Sequence, residues 1–201
     1  MCKRKVTVCV SSLIFALAQS SYAAPLNLFM STTPDIFSSF ITVNYDATSD
    51  LFTASGLAMT YKPDAVTPSA TIAGGSFALT ATIDDAGIAT AGSLSITGTV
   101  LGHGPSLLAG NLQNFGFLDA PGGEIFEFVF DNVTGDLAAD YQGAPVGVIL
   151  DASDTHFNGS WLNSFANSGL GVSDTGMVPE PCSLLLLTLG LPVIYRRRGR
   201  C

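Results

Sequence analysis

Between Ala24 and Pro181 the chain has no cysteine; Cys2, Cys9, Cys182 and Cys201 all lie in the two terminal segments. That absence excludes both a disulfide framework and a thiolate metal site from the central region. Basic residues are almost as scarce there. Lys62 stands alone against all 16 acidic residues of the chain, which leaves a net charge of −15. Such a field repels phosphate backbones and excludes nucleic acid as a partner, while it favours solubility and draws divalent cations. The only histidines are His103, set between two glycines, and His156, so no pair stands at zinc-ligand spacing. An apolar stripe of helical period is also missing from the centre, and the long apolar runs are confined to the ends.

Those ends read as addresses. Lys3, Arg4 and Lys5 precede an apolar core, Val6 to Ala18, and Ser21-Tyr22-Ala23 supplies small residues where a signal peptidase reads. Residues 1–23 are therefore expected to be a signal peptide cut after Ala23. At the other end, Val178-Pro179-Glu180-Pro181 is followed by an uncharged stretch, Cys182 to Tyr195, and by Arg196, Arg197 and Arg198. The two prolines fix φ and remove amide donors, which holds the Glu180 dipeptide extended. The arginines act as a membrane stop by keeping their end in the cytoplasm. As a helix the 14 uncharged residues reach about 21 Å against roughly 30 Å of hydrocarbon, and Pro192 weakens them further. A short transmembrane helix of that kind suits transient anchoring.

This tail resembles the PEP-CTERM sorting signal, the C-terminal tag of bacterial proteins handled by exosortase, a membrane-embedded cysteine transpeptidase. Val178-Pro179-Glu180-Pro181, Gly190-Leu191 near the end of the apolar stretch and the terminal arginines fall where the family pattern places them. The likeness covers residues 178–201 alone. It is interrupted by Pro192, and the chain runs past the arginines to Cys201. The resemblance implies export across the inner membrane of a Gram-negative-type cell, recognition and cleavage near Glu180, and a link to exopolysaccharide or biofilm matrix. On that basis the expected partners are signal peptidase and exosortase. The product belongs in the cell envelope, at the surface or in the matrix, after a transient stay in the inner membrane.

The central region reads as β throughout. Ile41, Val43 and Tyr45 alternate with polar residues, as do Phe77, Leu79, Ala81 and Ile83, then Leu94 and Ile96. In the clearest stretch Phe126, Phe128 and Phe130 point one way, while Glu127 and Asp131 point the other, toward water. Turn residues separate the strands at Asp46–Asp50, Asp84–Gly87, Pro121–Gly123 and Asp131–Asp136. The pattern predicts an all-β fold, a single antiparallel β-sandwich of jelly-roll type over residues 24–162, with roughly seven to nine strands. Residues 163–177, rich in Ser, Gly and Asn, read as a spacer that lifts the domain off the membrane.

Chemistry is sparse. Asp131 and Asp136, in a predicted turn, are the candidate calcium ligands, though aspartate also favours turns for its own backbone bonding. No other cofactor is indicated. Glu124 and Glu127, three apart on one strand, face opposite ways and cannot flank a single glycosidic bond. Ser160, His156 and Asp154 lack an elbow or oxyanion motif. Tyr141, Phe157 and Trp161 are the candidate aromatic platform for sugar rings, against the commoner role of such residues as core plugs. The reading is a non-enzymatic envelope or matrix protein associated with exopolysaccharide. A lectin-like carbohydrate-binding module is the alternative, and a secreted glycosidase a more distant one.

Overall fold

The computed structural model describes residues 24–120, 123–167, 169 and 171–179. Its strands are joined by hairpins whose turns follow the aspartates. β1 (Asp35–Asp46) turns into β2 (Leu51–Lys62), with Asp46 Oδ1 accepting from the Thr48 amide. After the two-residue β3 (Ala70–Thr71), β4 (Ala73–Ile83) turns into β5 (Ala89–Thr99) through Asp84, whose Oδ1 accepts from Ala86 and Ile88, with Gly87 at φ +79°. β6 (Ser106–Ala120) and β7 (Gly123–Thr134) form the longest hairpin. A 3₁₀ turn (Ala138–Tyr141), β8 (Val146–Ala152), β9 (Phe165–Ala166) and β10 (Gly171–Met177) complete the chain.

Every main strand pairs antiparallel with its neighbour in sequence, in the order β1-β2-β4-β5-β6-β7-β8-β10, and β10 pairs back onto β1. The sheet is a closed eight-stranded antiparallel barrel. This corrects the sandwich and jelly-roll expectation, because alternation reports only that one face of each strand is buried, which two packed sheets and one closed sheet satisfy equally. It also corrects the spacer. Within residues 163–177, Phe165–Ala166 pairs with β1, and Gly171–Met177 is the strand that closes the barrel between β1 and β8. The expected turn at Asp131–Asp136 begins later, since β7 continues to Thr134, paired with Ala109.

An eight-stranded barrel is just wide enough for side chains to fill. Phe126, Phe128 and Phe130 point inward and are fully buried, as are Phe52, Ile83 and Ile96. On β1 the inward parity changes at a bulge. Ile36 and Ser38 face in, Phe40 takes φ +54° and turns out to solvent, and Ile41, Val43 and Tyr45 then face in. β10 contributes small residues to the interior, Gly171, Ser173 and Thr175, which leave room for the aromatic rings. One end is stopped by Leu137 and Tyr141 around the 3₁₀ turn. The other is stopped by Phe157, Trp161 and Phe165 from the β8–β10 connection. Trp161 packs edge-on to Tyr45 at 4.9 Å and to Phe117 at 5.4 Å between centroids.

Candidate functional site

The outward positions of β7 around its middle are Ile125, Glu127 and Val129, and two apolar neighbours on an outer wall imply a cover. The cover is the N-terminal segment, residues 24–31, which crosses the outside of the barrel as a strap. Glu127, only 6% exposed, anchors it: Oε2 accepts the amides of Leu26 at 2.6 Å and Asn27 at 3.0 Å, and Oε1 accepts that of Leu28 at 2.8 Å. Asn27 lies at φ +52°, which turns three consecutive amides toward one anion. The predicted outward direction of Glu127 holds, but its expected contact with water does not.

Glycines on the barrel wall let the strap sit close. A Cβ at Gly116 would collide with the Ala24 carbonyl and lie 2.8 Å from Leu26. One at Gly147 would lie 2.7 Å from Met30 Sδ and 2.8 Å from Val178 Cγ2. The strap ends where β1 begins, with the Ser31 amide donating to the Met177 carbonyl at 2.9 Å.

The first two residues of the sorting motif lie beside this strap. Val178 continues β10, donating its amide to the Pro145 carbonyl at 2.9 Å, and Pro179 is exposed. Both help to line a groove of about 400 Å³ with Leu26, Leu28, Val129 and Pro145. The two ends of the described chain therefore converge on one face. Glu180, Pro181, Ala23 and the arginines Arg196, Arg197 and Arg198 lie outside the described residues, as do the signal peptide and the apolar tail.

The aromatic candidates are elsewhere. Tyr141 is fully buried at one end of the barrel, while Phe157 and Trp161, the latter 2% exposed, are buried at the other. Tyr141 does not meet the other two, whose rings pack at 4.9 Å between centroids, and none presents a face to solvent, so the expected sugar platform is corrected to two core plugs. The Tyr141 hydroxyl donates to the Thr175 carbonyl at 3.4 Å, and burial pushes its acidity down. The calcium candidates are engaged locally: Asp136 Oδ2 accepts the Gly104 amide at 2.7 Å and Asp131 Oδ1 accepts from the Asn132 side chain at 2.9 Å. Among the described residues no three His, Cys, Asp or Glu side chains gather as a metal site. Glu124 is buried with Oε2 unpartnered, so the two glutamates of β7 occupy separate environments.

No family model, no curated protein and no solved structure matches this chain.

Two smaller clefts lie elsewhere on the described surface. β5 and β6 pair only over Ser93–Thr97 and Ser106–Asn111, and where they part a slot of about 240 Å³ opens between Thr90 and Gln113. A cleft of about 280 Å³ beside Met30 holds Asp35 and Asp174. There burial, and then the Asp174 charge, push the Asp35 carboxyl up to about 6, against the opposing pull of Lys62 and the Thr175 backbone.

Proposed function

We propose that this protein is an exported, non-enzymatic component of the cell envelope or extracellular matrix, sorted by exosortase and associated with exopolysaccharide. The observation that carries the reading is the order of the last 24 residues: Pro-Glu-Pro, an uncharged stretch and an arginine stop. A basic and apolar leader ending in Ser21-Tyr22-Ala23 at the other end supports it. The position of the motif is compatible with being gripped, since Val178 is held at the end of β10 and Pro179 beyond it is exposed. On this reading the bond-making chemistry belongs to the membrane transpeptidase, and the chain is its substrate. The acidic barrel then remains outside the membrane as a compact, soluble body, with both targeting segments removed.

The test is processing in cells. Glu180→Ala leaves an uncut form in the inner membrane, whereas exchanging Leu184 to Leu187 for isoleucine leaves sorting intact, because that segment supplies only apolar length. Normal processing of the Glu180→Ala chain overturns the proposal.

A further inference from the structure

We infer that the strap face of the barrel is a lipid-contacting surface, seated on the membrane until the tail is cut. The inference rests on the reading above in one respect, that the uncharged segment after Pro181 enters the bilayer. The geometry then leaves little choice of orientation. Val178 is fixed to Pro145 on the barrel wall, and only Glu180 and Pro181 separate Pro179 from the uncharged run that starts at Cys182. The three extended Cα–Cα steps from Pro179 to Cys182 reach at most about 11 Å. The interfacial zone of one leaflet is itself roughly 6 Å deep, the difference between hydrocarbon and total bilayer thickness shared over two sides. Crossing that zone uses more than half of the tether, so Pro179 and the wall around it stay within about 5 Å of the headgroups. The N-terminal side agrees: Ala24 and Leu26 sit over Gly116 on the same face, so a leader still attached would also depart from it.

The surface has the chemistry for that place. Phe29, at the strap's crest, is 81% exposed, and half-buried Leu26, Leu28 and Val178 flank the groove next to Pro179. On this wall Glu127 is covered and bonded to the strap, while Asp151 on β8 and Asp174 on β10 stand exposed beside it. A phenyl ring standing out of an apolar surface is suited to burial at the headgroup–acyl boundary, as on the apolar face of an interfacial helix. The barrel as a whole is acidic, this wall included, which favours zwitterionic over anionic lipid.

The test uses the full chain floated with phosphatidylcholine vesicles that contain brominated acyl chains, which quench indole only on contact. Phe29→Trp places an indole on the proposed face. Leu57→Trp places one on β2, four strands away on the opposite wall, where Leu57 is likewise exposed. Trp161, buried in the core, gives the same baseline in both. The expected result is loss of the added emission for Phe29→Trp and none for Leu57→Trp. Flotation with Phe29→Trp unquenched, or with both sites quenched alike, overturns the orientation while the tail stays a membrane segment. Failure of the chain to float overturns the tail reading and this inference with it.

Discussion

Replacing Glu127 with alanine probes the contact that ties the N-terminal strap to the barrel wall. The carboxylate is 6% exposed and accepts three amides at 2.6, 3.0 and 2.8 Å, each of a kind contributing about 1.5–3 kcal/mol before compensation. Once the anchor is gone the strap lifts and its amides rehydrate, so the loss is smaller than the sum. The expected cost of Glu127→Ala is about 2–4 kcal/mol, well above the ±0.5 kcal/mol typical of an exposed substitution. Glu127→Gln separates acceptor from shape. Its single oxygen can keep the Leu26 and Asn27 amides, but its NH₂ then faces the Leu28 amide, donor against donor. It is therefore nearly as damaging as alanine. Urea titration of the purified protein gives the stability, and amide exchange at Leu26, Asn27 and Leu28 gives the location. Exchange should quicken at those three amides by the largest factor, with β1 to β8 following the global change. A loss below about 0.5 kcal/mol with the three amides still protected refutes the strap as described.

Phe128→Ala, in the fully buried row of β7, should cost about 3–5 kcal/mol in the same titration, and a loss under about 1 kcal/mol contradicts an inward-facing, close-packed ring. Asp35 sets a pH dependence. Its carboxyl, held near 6 by burial and then by Asp174, binds a proton more tightly in the folded state than in the unfolded one, near 4. That contribution is complete below pH 4 and is lost as pH rises through 6, by on the order of 1 kcal/mol after allowance for its partial exposure. Asp35→Asn should remove that slope and stabilise the protein at pH 7; an unchanged slope between pH 4 and 6 contradicts the assignment. The emission of Trp161 should be blue and resistant to acrylamide, with no change on adding polysaccharide, since its ring lies in the core at 2% exposure. Ready quenching contradicts the plug.

What could be read from the residues was the parity of single strands. Phe126, Phe128 and Phe130, like Ile41, Val43 and Tyr45, are inside as their alternation requires, because a strand with one buried face writes that face at period two. Closure could not be read the same way. The strand that makes it, Gly171 to Met177, offers glycine, serine and threonine to the interior, and that composition is also that of a linker. Its inward residues are small because the facing rings are large, a fact held in the partner strands and absent from the segment itself. Glu127 shows the same limit in another form. Its outward direction was legible, but its cover is a segment about 100 residues earlier in the chain. The one local signal was the pair of apolar outward neighbours, Ile125 and Val129. Trp161, Phe157 and Tyr141 carried no local sign of burial, since an aromatic in a loop reads alike whether it plugs a barrel or faces a ligand.

The central claim is that this chain is exported and cut at its Pro-Glu-Pro motif, and the mass of the mature protein tests it most directly. Intact-mass measurement of the surface or matrix fraction should find a chain that begins at Ala24 and ends near Glu180, with the groove residues Val178 and Pro179 retained. A mature protein that still ends at Cys201 contradicts the account and makes the arginine-stopped tail a permanent anchor.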